Sequence, residues 1–227
     1  MRTVQLRVMT YNIHLGGRGG PLLDQVVRAA APDVLVVNES PHYPVVWRRQ
    51  CRGLARRWGL EPVVGGRPAG SLMLVVRPGL EVASRHQRLL GRSPFRPRRG
   101  IVSGQVRVGD RLLGIVGCHL GLHDHERAHE VEKVAEAADS LGDPVVLAGD
   151  LNERPNGPSW RRLREAGFVD HGTRDWLTFP ADSPVKRIDA VLARGDVTVS
   201  HHGDPGVPAE LLATASDHRP VLAVVAL

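Results

Sequence analysis

Asp217 and His218 stand side by side where a loop enters the apolar run Val221–Leu227. The same arrangement recurs along the chain. Leu6–Tyr11 empties into Asn12, Asp33–Val37 into Asn38 and Glu39, Leu112–Cys118 into His119, and Pro144–Ala148 into Gly149, Asp150, Leu151 and Asn152. Polar groups at the ends of strand-like runs converge on one edge of a sheet. Asn12, Glu39, Asp150, Asn152 and Asp217 all offer oxygen. An oxygen set without cysteine selects a hard cation, Mg²⁺ or Mn²⁺, rather than zinc. His119 and His218 add groups that exchange protons near neutral pH. Asp189 lies in a strand-like segment, where a carboxylate needs a partner; His218 is the partner expected, with Arg187 or Lys186 as the alternative. This is the chemistry of a metal-binding site that processes phosphate.

Each residue has an ordinary reading when taken singly. Asn12 can cap a loop, Glu39 can be a solvated residue ahead of a helix, and Asp150 with Asn152 can form an Asx turn. Their shared position at strand ends favours the site. His125 and His129, four apart at a helix start, are a possible ligand pair, yet solvated helix-entry histidines are expected there, with His123 among them. The loop His14–Gly20 is glycine-rich but lacks the Walker Gly-Lys-Ser/Thr, although Arg18 could reach a substrate. No GxSxG nucleophile elbow is present. Cys118 abuts His119, but neighbours on a strand face opposite ways, which argues against a thiolate–imidazole pair.

These groups need elements to hold them. Strands are expected over Leu6–Tyr11, Val34–Val37, Ser71–Val76, Ile101–Val108, Arg111–Cys118, Val145–Ala148, Arg187–Ala193 and Pro220–Ala226, with a further one over Leu80–Ala83. Gly109-Asp110 marks a hairpin. Helices are expected over Pro21–Ala30, over Glu126–Leu141 with Ala128, Val131, Val134, Ala135, Ala138 and Leu141 on one face, and over Pro158–Ala166. Ser40 is the expected N-cap of a basic helix running through Trp47, Leu54 and Trp58. Ser84–Gly100, with its six arginines, reads as an exposed loop. Runs nearly continuous in Val, Leu and Ile are covered on both faces. Interleaved helices and hairpins together imply mixed sheets.

A chain of 227 residues fits one domain, 1–227, with a real core. The formal charge of +6, almost all arginine, attracts polyanions, nucleic acid first, although the same excess follows from an Arg-, Ala-, Gly-, Pro- and Val-rich composition. Cys51 and Cys118 form no disulfide framework or zinc spacing, which fits a reduced, cytoplasmic compartment. The polar start leaves no room for a signal peptide, and no apolar run reaches transmembrane length.

Taken in order, Thr10-Tyr11-Asn12-Ile13-His14, Pro32-Asp33-Val34 through Glu39, Cys118-His119-Leu120, Gly149-Asp150-Leu151-Asn152, Arg187-Ile188-Asp189 and Ser216-Asp217-His218 resemble the motif series of the endonuclease/exonuclease/phosphatase superfamily, the deoxyribonuclease-I-like fold. The resemblance implies an α/β protein, a four-layer α/β/β/α sandwich with two mixed β-sheets packed face to face. It also implies metal-dependent hydrolysis of phosphate esters. Carried onto this chain, it makes Glu39 the principal metal ligand with Asn12 and Asp217 near the metal. Asp150 and Asn152 position water and phosphoryl oxygens, His218 oriented by Asp189 is the acid–base group, and His119 steadies phosphoryl charge. Asn38 stands where the family often has Gln, and the acid that usually partners His119 has no counterpart, with Glu81 the only carboxylate between Glu61 and Asp110. A monomeric nuclease acting on DNA or RNA is the first expectation, supported by Arg48, Arg49, Arg52, Arg56 and Arg57 on one helix and the arginines of 85–99. A hydrolase of small or lipid head-group phosphate esters is the alternative, without an apolar hairpin to serve lipid. A non-catalytic binding protein of the same fold is the third reading.

Overall fold

The computed structural model describes residues 4–16, 20–91, 98–173 and 175–227. Arg18 and the middle of the glycine-rich loop lie outside these residues, as do the loop arginines Arg92 and Arg96.

Two mixed six-stranded sheets form the body. The first contains β1 (Gln5–Asn12), β2 (Val34–Asn38), β3 (Glu61–Gly66), β4 (Leu72–Val76), β11 (Thr198–Gly203) and β12 (Val221–Ala226), in the order β11-β12-β1-β2-β4-β3. The second contains β5 (Val82–Leu90), β6 (Arg99–Val108), β7 (Arg111–His119), β8 (Val145–Asp150), β9 (Val169–Asp170) and β10 (Asp189–Arg194), in the order β5-β6-β7-β8-β10-β9. Valine- and leucine-rich runs such as Val34–Asn38 and Val145–Asp150 are buried at every position, which is what coverage on both faces requires.

Three apolar clusters define the layers. Val8, Val36, Val102, Ile115, Val146 and Val191 meet between the sheets. Met9, Leu35 and Val75 pack outward against α1 (Gly20–Ala30), α2 (Trp47–Trp58) and α5 (Ala209–Ala215). Val116, Leu147 and Leu192 pack outward against α3 (Asp124–Leu141) and α4 (Pro158–Glu165). The expected α/β/β/α order is the one observed.

The differences have local causes. Ser40 is buried and seven residues ahead of α2, whose N-cap is Val46 with no side-chain bond. Residues 82–90 form an edge strand rather than a loop. Ala128 of α3 is exposed, while Arg127 and Glu130 are buried. Those two charged groups hold the turn after β7: Arg127 Nη1 donates to the carbonyls of Gly121 and Leu122, and Glu130 Oε2 accepts from Gly121 N–H at 2.6 Å.

Candidate active site

Strand polarity brings the functional groups to one edge of the sandwich. β1 and β2 run parallel with Asn12 opposite Asn38. β7 and β8 run parallel with His119 opposite Asp150, and the antiparallel β10 starts with Asp189 opposite Asp150. The two sheets are tied at this edge, because Asn12 Nδ2 donates to Asp150 Oδ2 at 3.1 Å and Asn38 Nδ2 donates to the Cys118 carbonyl at 2.8 Å. Asn38 also accepts from Thr10 Oγ1, so its amide fastens β1, β2 and β7 rather than facing the metal side of the site. The loop before β12 adds Asp217 and His218, and Ser216 Oγ secures it to the Asn12 carbonyl at 2.7 Å. All eight residues expected from the sequence meet here.

Asp150 is the hub. Its Oδ1 accepts from Asn152 N–H at 2.9 Å, and its Oδ2 faces Asn12 Nδ2, His119 Nε2 at 3.4 Å and His218 Nε2 at 3.9 Å. Complete burial, reinforced by the charge of Asp189, pushes the Asp150 carboxyl well above the ordinary carboxylate range, against the opposing pull of His218 and its hydrogen bonds. The Asx turn foreseen for Asp150 and Asn152 is therefore present, and Asn152 Nδ2 is further fixed on the Leu120 carbonyl at 2.8 Å. Asn152 also lines a cavity with Asp150 and His218.

His218 Nδ1 lies 2.9 Å from Asp189 Oδ2. Burial disfavours charge on the imidazole, but the charge and hydrogen bond of Asp189, with Asp150 and Asp217 behind, prevail and raise it to about 10. The ring is therefore a cation at neutral pH, and it lines a cavity together with Phe179, against which it packs at 4.8 Å between centroids. Asp150, Asp189 and His218 offer ligand atoms within 4.8 Å of one another, yet the short Asp189–His218 bond already commits two of them.

Arg99, at the end of the stretch expected to be a loop, opens β6. Its guanidinium is buried and Nη1 lies 3.0 Å from His119 Nδ1. Arginine only donates, so His119 Nδ1 accepts and its proton resides on Nε2, toward Asp150. Burial, then the charges of Arg99 and His218, hold His119 well below its ordinary value and keep it neutral. Among the described residues the partner at His119 Nδ1 is Arg99 rather than a middle-strand acid, Asp150 stands at Nε2, and Glu81 pairs with Arg107. Arg99 is seated by a close backbone approach, since a Cβ on Gly100 would stand 2.2 Å from the Ala69 carbonyl oxygen.

Glu39 and Asp217 face each other across His14, whose Nδ1 is 3.9 Å from Glu39 Oε2 and 3.2 Å from Asp217 Oδ2. Both carboxylates are hard oxygen donors suited to Mg²⁺ or Mn²⁺, and Asn12 Oδ1 accepts from the His14 N–H at 3.1 Å. His14 is a second residue the sequence reading did not select. His123, the residue before α3, and His125 and His129 in its first turns are exposed. Their run, His125-Glu126-Arg127-Ala128-His129, has the spacing of a zinc-protease helix, but among the described residues it gathers no third ligand.

Two cavities meet at Glu39, Arg99 and His119. One, of about 670 Å³, extends past Asp150, Asn152 and His218 to Arg154, Phe179 and Lys186. The other, of about 420 Å³, extends past His42 and Pro44 to Arg67 and Arg98. Among the described residues, no carboxylate pairs with Arg67, Arg98, Arg154 or Lys186.

A model of the endonuclease/exonuclease/phosphatase family matches residues 9–218. No curated protein matches the chain. Solved structures do. A mannosyl-6-phosphatase of Bacteroides thetaiotaomicron VPI-5482 superposes with a TM-score of 0.79 at 19% identity, covering 98% of this chain and 100% of that one. A Bacteroides thetaiotaomicron protein of the endonuclease/exonuclease/phosphatase family gives 0.77 at 18%, covering 100% and 99%. The human Nocturnin catalytic domain with bound sulfate gives 0.71 at 13%, covering 97% and 94%.

Proposed function

The chain belongs to the endonuclease/exonuclease/phosphatase family of hydrolytic phosphoesterases, and from that premise we propose that it is a divalent-metal-dependent phosphodiesterase acting on nucleic acid. The observation that carries this reading is the pair of cavities meeting at Glu39, Arg99 and His119, each with unpaired cations beyond the meeting point. A phosphate at the divide has room for a substituent on either side, as a diester needs. Cations on both sides fit the further phosphates of a polynucleotide. The names of the structural relatives span sugar and nucleotide chemistry, so fold alone does not choose the substrate.

Glu39 and Asp217, with Asn12, would hold the cation, Mg²⁺ or Mn²⁺. When bound, it supplies a Lewis acid that polarises a phosphoryl oxygen and offsets developing charge. Ionised Asp150 takes a proton from the attacking water at Oδ2. The water oxygen forms its bond to phosphorus as the opposite P–O bond breaks, and His218 gives its Nε2 proton to the leaving oxygen. Asp189 keeps the His218 ring oriented and charged. Asn152 and Arg99, which line the cavity, would face the phosphoryl oxygens of a bound substrate. His119, held neutral, orients Asp150, so the charge-steadying role passes to Arg99. Positioned charge in a buried site is the largest part of the rate gain.

The roles fix a pH profile. Asp150 must be ionised, and its raised pKa places the rising limb above the ordinary carboxylate range. His218 must be protonated, so activity falls as pH passes about 10. A plot of kcat/KM against pH should rise toward neutrality and fall only at high pH; a flat profile between pH 5 and 8 would remove Asp150 as the base. Arg99→Met should lower kcat by about 10²–10³, and Arg99→Lys should restore little, because a lysine cannot keep the forked donor geometry. Steady-state kinetics with near-normal kcat in Arg99→Met would cancel that role.

Incubation of supercoiled plasmid and a single-stranded oligonucleotide with Mg²⁺, Mn²⁺ or EDTA tests the reading, beside bis(p-nitrophenyl) phosphate and p-nitrophenyl phosphate. Metal-dependent cleavage of nucleic acid and preference for the diester are expected. Preference for the monoester, with intact nucleic acid, would overturn it.

A further inference from the structure

The arginines of α2 are outside the chemistry described so far. The helix has no acidic residue. Cys51, Leu54, Ala55 and Trp58 bury one face in the core, so α2 lies along the surface. Arg48, Arg49, Arg52 and Arg56 are exposed on the other side. Among the described residues no carboxylate pairs with any of them, whereas Arg57 is tied to Asp24. Arg48, Arg52 and Arg56 recur every four residues, which aligns them in one stripe. From Arg48 to Arg56 the stripe is about 12 Å long at the helical rise per residue.

The helix that carries this stripe starts beside the smaller cavity. Trp47 lies against Gly66, directly before the cavity residue Arg67. The segment leading into α2 contributes His42 and Pro44 to the same cavity. His42 and Tyr43 stack with centroids 5.6 Å apart and planes 11° from parallel, and Tyr43 is 58% exposed. A ring shelf followed by unpaired arginines is the combination that holds an unpaired strand, with bases on the rings and phosphates on the guanidiniums. A base in a duplex already has both faces covered by its neighbours.

We propose that the His42–Tyr43 shelf and the arginine stripe of α2 form a track for single-stranded nucleic acid, leading the substrate out of the smaller cavity on one side of the scissile phosphate. The inference rests on the nuclease reading and narrows it to a polymeric, unpaired substrate. The three arginines, each about one helical turn from the next, can each meet one phosphate of the strand. Short oligonucleotides that end inside the cavity gain nothing from it.

The test uses the full chain and the triple variant Arg48→Gln, Arg52→Gln, Arg56→Gln, with Tyr43→Ala as a second variant. None of these residues belongs to the catalytic centre. Binding of a labelled single-stranded 12-mer is followed by fluorescence anisotropy in EDTA across a salt series, and cleavage is followed separately with metal. The triple variant should bind about tenfold or more weakly, and its slope of log K against log salt should shrink by about 2, the share of three single-strand phosphate contacts. Both variants should raise KM for the 12-mer and leave kcat/KM for bis(p-nitrophenyl) phosphate unchanged. Equal binding and equal slope in the triple variant would overturn the track. So would a duplex held as tightly as the single strand, with Tyr43→Ala indifferent. Val45 and Val46 are also exposed beside the shelf. Anionic phosphatidylserine vesicles that bind through the same arginines, with no competition from the 12-mer, would assign the surface to lipid and overturn the track as well. Tight, arginine-dependent binding of the 12-mer without cleavage would keep the track and sink the nuclease reading alone. Cleavage without arginine dependence would do the reverse.

Discussion

Asp150→Asn should lower kcat by about 10³–10⁴, with KM little changed, the upper range for loss of a general base. The substitution keeps the shape of a side chain on which Asn12, Asn152, His119 and His218 all converge. It removes the group assigned to take a proton from water. Stability should move little, because two effects oppose. An amide N–H set against the Asn12 and His119 donors costs about 1–3 kcal/mol. In return the fold no longer holds a buried carboxylate whose ionisation it disfavours. That relief has a sign in pH: a raised carboxyl pKa makes the wild type lose stability as pH climbs from the ordinary carboxylate value through the folded one. The variant lacks that decline. Single-turnover kinetics and a pH series of denaturant melts check both parts. A variant retaining a tenth of wild-type kcat would show that Asp150 is no base.

The interior of the fold was legible because its central strands are continuous apolar runs with one polar residue at the end. β1, β2, β7, β8, β10 and β12 all carry that pattern, and all are flanked by neighbours on both sides. The strands that went unread, or were read only at their start, are β3, β5, β9 and β11, the outer strands of the two sheets. Val82–Leu90 is exposed at six of its nine positions, so no apolar run announces it, and its arginines make it look like a solvated loop. Edge strands satisfy one side of the backbone with water and carry charge against mispairing, which is the composition of a loop.

The site was legible for a related reason. Parallel pairing of β1 with β2 and of β7 with β8 sets like ends beside like ends, so polar residues that close such runs must meet. Two members depend on tertiary placement instead. His14 reaches Glu39 and Asp217 through a left-handed turn, with φ of 45° at His14 and 59° at Leu15, and nothing in a glycine-rich stretch says where its side chains end up. Arg99 could have been found. The hairpin about Gly109-Asp110 was read correctly, and counting back from that turn pairs Gly100 with His119. Arg99 is then the next residue along, beside the histidine whose partner was missing.

The His218–Asp189 pair gives the second large effect, and it joins stability to turnover. His218→Ala should lower kcat by about 10²–10⁴, but the variant will not be structurally silent. Asp189 is buried, its Oδ1 has no hydrogen-bond partner among the described residues and its Oδ2 loses the imidazole. Breaking a buried pair by removing one member costs about 3–5 kcal/mol. Asp189→Asn alone should cost less, since the amide remains against a neutral ring. In the double variant His218→Ala, Asp189→Asn, no charge is stranded, so it should be more stable than His218→Ala despite carrying one more substitution. Activity should not follow stability: all three variants should fall to a similar low rate, because the residues act as one unit. The pH dependence separates this pair from simple packing. The imidazole pKa is raised from 6.5 to about 10 on folding. Its contribution is therefore complete below pH 6.5 and disappears as pH rises through about 10. Wild-type denaturation midpoints should decline across that window, and the His218→Ala and double variants should not. Additive stabilities in the cycle, with an unchanged decline in His218→Ala, would mean that the imidazolium is not held by Asp189 and that the charged acid assigned to the reaction is elsewhere.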